Sequence, residues 1–544
     1  MKKNLKSLLA SCGLLGLCLV AGCGSSDGEV ITGNTNNGQT FTSVLFQNPF
    51  LSPNPGSNIH NDSYLSDTYE FAGPTSFSSF TLQQNNQSTF VDPYTGTLRT
   101  VILGEGAGQA YDADGNIQTV TTGVTDPSTN EATRSIVTLD KQTLSVLAWF
   151  SFQKEQTSLT DFGGAGYFYQ DEQFRMVSAL PDGHVKVLQR QDSLLSTVDQ
   201  YVAVRDINIA GPGGAVPIPN GLTSLSLYAL MPDKVGNIWF TIGEGIVGVI
   251  NPAGNVRYLD TNDPTGTGTR TPEPDGDFES IANSHAVDEG DSADGSSGIY
   301  ILSTHKMYRF GLDATGNPQI VWEAAYDRGT GIKPGQVSFG SGTSPTVFRM
   351  AGRRFVAIAD NAANGMNVNV YRAEATLAAG EQRLFAQVAP FGSGPDICDE
   401  NSLIAAPATD GSGGYDLFAE NNFGYTGFDS VAGAGVTTPG FARMRLLPNG
   451  NFTVASVNNS IRVPTIVSKM SKANNTVYTY EKRTDGWFLT GLDATDLNSV
   501  RFSVPVGPGT AFFNNHYAAL SLDPDGRSVW FGTAFGVTKV SLRP

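Results

Sequence analysis

Cysteine is scarce in this chain, with four in 544 residues. Cys12 and Cys18 lie in an apolar N-terminal stretch, Cys23 follows it directly, and Cys398 stands alone in the remainder. One thiol cannot close an internal disulfide, so the folded part must rest on its core. No C-x-x-C-H occurs, which excludes an ordinary covalently attached c-type haem, and no cysteine pair suits zinc. Histidine is as rare, with five residues. Basic residues number 34 against 51 acidic, a net charge of −17. Such a surface repels phosphate backbones and argues against nucleic acid as a partner. The G-x-S-x-G elbow, H-E-x-x-H and the P-loop are all missing. Beyond the first two dozen residues no stretch is apolar enough to cross a membrane.

The N terminus is the most legible part. A basic "MKKNLK" precedes "SLLASCGLLGLCLV", an apolar run too short and too punctuated by Gly, Ser and Cys to span as a folded helix. Val20-Ala21-Gly22-Cys23 closes it and resembles the lipobox of bacterial lipoproteins, in which the cysteine thiol is acylated before cleavage. That resemblance implies a signal peptide over 1–22 and a lipid-anchored Cys23. Several acyl chains on one residue anchor stably, since each buried methylene contributes about 0.8 kcal/mol. Gly24 stands after the cysteine where Asp would favour inner-membrane retention, so the expected address is the outer membrane, facing the periplasm or the cell surface. "GSSDGEVITGNTNNGQTFTS" then reads as a flexible tether, giving 23–45 as anchor and linker and 46–544 as the folded domain. Removing Lys2, Lys3 and Lys6 with the signal leaves 31 basic against 51 acidic residues, a net charge of −20.

The folded part holds many glycines, prolines and aromatics. Short β-branched or aromatic runs alternate with turn clusters, and long amphipathic helical stretches are hardly found. Weak repeats run through it. "YALMPDKVGNIWFTIGEGIVGVINPAGNVRYL" from Tyr228 parallels "YAALSLDPDGRSVWFGTAFGVTKVSL" from Tyr517, and looser versions begin at Tyr167, Ala286 and Leu403. A unit of three or four short antiparallel strands cannot bury both faces alone, whereas radial stacking buries them and leaves only short edges. At roughly 45 to 70 residues per unit, the expected fold is all-β: a single large β-propeller of seven or eight four-stranded blades. Closure should come from pairing of N- and C-terminal segments, with a stretch between Val44 and Ala72 completing the blade that contains Trp530.

Loops entering the innermost strands of a propeller line its central channel, the concave place where ligands bind. The expected entrances are Asn58–Asp67, Asp161–Glu172, Asn220–Leu230, Glu279–Gly290, Asp396–Ala405 and Phe512–Leu520. His60, His285 and His516 fall in them, beside Asp62, Asn283, Glu400, Asn401 and Asn515. These eight side chains form a candidate channel site for a small molecule, a glycan or a protein ligand. They offer a divalent metal such as Ca²⁺ oxygen and imidazole ligands, or a substrate a general base and its orienting group. The same groups serve equally well as hydrogen-bond partners of neighbouring backbone. The acidic turns at Asp112, Asp288 and Asp523 lack the spacing and terminal Glu of an EF-hand; tight hairpins explain them.

Ser344–Arg372, "DENSLIA" (Asp399–Ala405), "FAENNFGY" (Phe418–Tyr425), Arg462–Lys482, "FFNNHYAALSLDPDG" (Phe512–Gly526) and "HNDSYLSDTYEFAGP" near the start resemble exported bacterial β-propellers of the quinoprotein-like and NHL-like groups. The likeness spans most of the folded part. It implies the fold and assigns no catalytic residue or cofactor. Two functions remain open: a membrane-anchored binding module, or a channel-mouth enzyme using His60, Asp62, His285, Glu400 and His516 as a metal-assisted hydrolase or lyase or a quinone-linked oxidoreductase.

Overall fold

The computed structural model describes residues 48–543 except 105, 107, 127–130, 153–165, 291–296, 426–435 and 535, together with the short paired strands Ile31–Thr32 and Thr42–Ser43. The expected signal segment, Cys23 and most of the expected tether lie outside the described residues. Among the described residues the chain forms eight four-stranded antiparallel blades in sequence order. Their innermost strands are Gln109–Tyr111 (blade 1), Tyr169–Gln170 (2), Leu227–Pro232 (3), Ala286–Val287 (4), Thr346–Met350 (5), Ile404–Pro407 (6), Lys469–Ser471 (7) and Leu520–Leu522 (8). The outer strands of blades 1 and 2 also pair in parallel, through Ala148 with Asp199 and Trp149 with Gln200.

Burial follows position in the blade. In blade 3 the middle strands Ile238–Ile242 and Ile246–Ile250 are buried at every residue, because the neighbouring blades cover both faces, while the outer Val256–Asp260 faces solvent. The core therefore lies between blades. Tyr480 of blade 7 stacks on Trp487 with ring centroids 5.2 Å apart and meets Phe531 of blade 8 at 4.7 Å.

The acidic turns are hairpins. Asp112, Asp233 and Asp523 each accept a backbone N–H two residues on, at 2.9–3.0 Å, and Gly115, Gly236 and Gly526 supply the left-handed position that completes the turn. In blades 3 and 8 the same Asp accepts the indole N–H of the second strand, Trp239 at 3.1 Å and Trp530 at 3.0 Å. That contact ties the Asp-Gly turn to the Trp-Phe strand in both repeats. Asp288 caps its own turn by accepting from Gly290 and Gly298 N–H and from the Tyr300 hydroxyl.

Blade 8 closes the ring. Its outer strand is Phe80–Asn85, paired antiparallel with Gly536–Leu542 from Leu542–Phe80 to Val537–Asn85. Closure between the chain's two ends is as expected, but the closing strand lies just beyond the Val44–Ala72 window. The physical reason is that the earlier segment is engaged elsewhere, filling the channel.

Inner strands of two to six residues present unpaired N–H and C=O groups to the axis. The segment Asn48–Ala72 satisfies many of them in turn. Ser52 and Ser57 bond Gln170 of blade 2, Ser63 accepts from Val287 of blade 4, and Tyr64 accepts from Val347 of blade 5. Ser66 accepts from Ala405 of blade 6, while Asp67 and Tyr69 accept from Met470 and Lys472 of blade 7. Asn58–Asp67 is thus the channel plug, rather than the entrance to a blade strand. Asn61, Leu65 and Asp67 hold positive φ angles of 75°, 53° and 55°. Left-handed backbone at non-glycine residues costs on the order of 1–3 kcal/mol each and persists only where the surroundings dictate it.

Candidate functional site

A cavity of about 230 Å³ opens where the entrance loops meet the plug. Tyr167, Asn283, Ser344, Glu400, Val467 and Tyr517 reach it from the stretches that precede the inner strands of blades 2, 4, 5, 6, 7 and 8. Tyr228 of blade 3 joins them, and Ile59 and His60 of the plug form one side.

Of the eight residues singled out from sequence, His60, Asn283, Glu400 and Asn401 line this cavity; Asp62, His285, Asn515 and His516 do not. Asp62 caps the plug's turn, accepting the Tyr64 N–H at 2.9 Å and the Ser66 N–H at 3.2 Å. Burial pushes its carboxyl up to about 6. His285 is buried, and neither ring nitrogen has a hydrogen-bond partner. Burial drives that ring down to about 3, so it is neutral. His516 turns to the Tyr425 hydroxyl at 2.8 Å, and burial lowers it to about 4. Asn515 donates to the Gly532 carbonyl at 2.7 Å. The five residues of the enzyme reading are therefore split, two at the cavity and three built into its surroundings.

Sequence reasoning missed the groups that hold His60. Its Nδ1 lies 3.1 Å from Asp67 and 2.9 Å from Ser402 Oγ, and Ser402 also donates to Asp67. Lys469 Nζ donates to Asp67 and, at 2.5 Å, to the Ile59 carbonyl. Lys469 and Asp67 are both fully buried. Burial alone would raise the Asp67 carboxyl, but Lys469 and His60 outweigh it and hold it below the usual carboxylate range. An ionised Asp67 beside Nδ1 places the ring proton there. In the neutral ring Nε2 is then the acceptor, and it has no partner among the described residues.

Glu400 is the second distinctive group. Val337 N–H donates to its Oε1 at 2.9 Å, while Oε2 is buried without a partner. Gly342 makes the room: a Cβ there would sit 1.9 Å from Oε2. Burial pushes this carboxyl up to about 8, and Glu420 behind it up to about 7. Asn401 spends its amide nitrogen on Glu420 and on the Ile466 carbonyl, both at 2.8 Å. Asn283, in the orientation that satisfies both ends of its amide, donates to the Ala282 and Gly342 carbonyls.

This donor set does not fit a metal. Ca²⁺ takes about six to eight oxygens, several of them carboxylate, whereas the cavity wall offers a single carboxyl and one imidazole among neutral amide and hydroxyl groups. Among the described residues no group of three or more His, Cys, Asp or Glu side chains is arranged to hold an ion. What the arrangement does supply is a wall without lysine or arginine, its one carboxyl pushed up by burial, three tyrosine rings, and an imidazole oriented by Asp67.

No family model matches the chain, and no curated protein matches it in sequence. Among solved structures it is similar to the Dos1 propeller, at 10% identity over 85% of this chain and 95% of that one, with a TM-score of 0.43. It is also similar to a europium-containing methanol dehydrogenase (11%; 90% and 98%; 0.48) and to quinohemoprotein alcohol dehydrogenase from Comamonas testosteroni (12%; 89% and 80%; 0.48). Likeness at this level concerns architecture and carries no chemistry to this chain, which is a nearly all-β chain of propeller blades.

Proposed function

We propose that this protein is an exported, lipid-anchored β-propeller that binds a small ligand in the cavity at its plugged channel mouth. The observation that carries the reading is the construction of that cavity. Seven blades and the plug each contribute to one concave site, which is where a propeller gathers independent side chains around a ligand. The lipobox-like Val20–Cys23 supports acylation of Cys23, and the linker up to residue 45 would hold the propeller off an outer-membrane surface. A catalytic role is the second reading. It draws on the Asp67–His60 pair, an oriented proton acceptor at a cavity wall.

Two measurements test the two halves. Labelling with a fatty-acid analogue should mark the wild-type chain and not Cys23→Ala; equal labelling of both removes the anchor. A thermal-shift screen of small water-soluble compounds should find at least one that raises the melting temperature of the wild type and not of Ala282→Phe, whose ring fills the cavity from its wall. A shift that survives Ala282→Phe, or none at all, overturns the binding reading.

A further inference from the structure

The walls of the cavity define a ligand class. Glu400 Oε2 is buried in the cavity wall without a partner, and four further polar groups of the lining have none among the described residues. His60 Nε2 and Asn401 Oδ1 are acceptors, since the other polar atoms of both side chains are spent on Asp67, Ser402, Glu420 and the Ile466 carbonyl. The Tyr167 and Ser344 hydroxyls both donate and accept. The four come from blades 2, 5 and 6 and from the plug, so they converge from different directions. Between them lie flat apolar surfaces. Tyr167 and Tyr228 present rings with centroids 5.7 Å apart and 36° between planes, and Tyr517 is fixed by its own hydroxyl, which donates to the Gly335 carbonyl at 3.1 Å.

We propose that the cavity takes an uncharged, polyhydroxylated ring of monosaccharide or cyclitol size. The assignment rests on the binding reading above and specifies its ligand. A compact ring carrying several hydroxyls answers both halves of the wall. Its O–H groups donate to His60 and Asn401 and accept from Tyr167 and Ser344, while its C–H faces pack on the tyrosines. Volume sets the scale: about 230 Å³ holds one such ring and excludes a disaccharide lying wholly inside. Charge sets the sign. Asp67 and Lys469 are fully buried, matched to each other and outside the lining, and the one carboxyl of the lining, Glu400, is pushed up to about 8 by burial and so is protonated near neutral pH. An anionic ligand would find no lysine or arginine in the lining to replace its hydration, and a cationic one would have to draw the proton off Glu400 to gain a counter-charge. Unpaired polar groups in the site also discriminate: a ligand that lacks the matching hydroxyl leaves them unanswered.

The test is ligand-observed NMR and calorimetry on the full chain, extracted in a detergent without a sugar headgroup. The probes are glucose, galactose, mannose and myo-inositol, with glucuronate, glucosamine and phenol as charged and apolar comparators. At least one neutral polyol should bind, at least tenfold more tightly than glucuronate and glucosamine. Tyr167→Phe and Ser344→Ala, each a removal of one hydroxyl, should weaken it about five- to tenfold with an unchanged melting temperature, the latter showing that the fold is intact. Binding of phenol or of a charged probe in preference to every polyol overturns the ligand class and leaves the cavity a binding site. Binding of no probe of any class overturns the ligand class, and the thermal-shift screen with Ala282→Phe then decides the binding reading separately.

Discussion

Replacing Lys469 by alanine is expected to destabilise the protein by about 3–5 kcal/mol, the cost of leaving a buried charge without its partner. The ammonium is fully buried and donates to Asp67 and to the Ile59 carbonyl, so its loss strips both of their counterpart. His60 and Ser402 would still face the Asp67 carboxylate, but neither carries the full compensating charge. The contact joins blade 7 to the plug, and the same Asp67 accepts the Met470 N–H through its carbonyl, so the damage reaches the channel axis. The double change Lys469→Met with Asp67→Asn should recover most of the loss, because removing both charges removes the penalty. Asparagine is the right replacement. Asp67 holds φ at 55°, a conformation asparagine tolerates better than alanine does, and its amide oxygen still accepts from Ser402 and His60. Chemical denaturation of the three proteins measures the cycle. A single Lys469→Ala variant within about 1 kcal/mol of wild type would mean that the pair is not what pins the plug.

The contrast between plug and blades explains what could be read from the chain alone. Blades 3 and 8 were legible because each puts its signals within one hairpin: an Asp-Gly turn, then a tryptophan whose indole returns to that Asp. The entrance loops were legible for the same reason, since each directly precedes a strand. Asn58–Asp67 has the composition of an entrance, and its partners on blades 2, 4, 5, 6 and 7 lie at sequence separations that no local pattern encodes. Ser402 and Lys469 stayed hidden likewise: they meet Asp67 across separations of 335 and 402 residues. Histidine placement was informative about position and silent about direction. At blade 8 Tyr517 lines the cavity while the adjacent His516 turns back to Tyr425, and at blade 4 Asn283 lines it while His285 is buried without a partner. Tyr517 holds left-handed backbone at φ 55° and Asn283 sits in a bend two residues before His285, so these loops are not regular strands and aligning them does not align their side chains.

Deleting Asn514–Pro544 should abolish soluble folding altogether. The deletion removes three of the four strands of blade 8 and leaves Phe80–Asn85 with nothing to pair. It also discards Leu520, Leu522, Val529, Trp530, Phe531, Val537 and Val540, all with no exposed surface. At about 1.5–3 kcal/mol for each fully buried apolar side chain, the loss is roughly 10–20 kcal/mol, as large as the whole stability of an ordinary domain. The ring would also open at two faces, exposing Tyr480 where Phe531 had covered it and Tyr111 where its hydroxyl had met the Leu522 carbonyl. A second variant separates closure from loss of core. Replacing Phe80–Asn85 by six glycines keeps every C-terminal residue and strips the six paired positions of the closing strand of their side chains. At about 0.5–1 kcal/mol for each glycine within a strand it should cost roughly 3–6 kcal/mol, so that a folded but weakened propeller remains. Partition between soluble and pelleted fractions reads the first variant, and denaturant unfolding reads the second. A soluble deletion with unchanged melting, or a glycine variant as stable as wild type, would show that the ring does not depend on its closing strand.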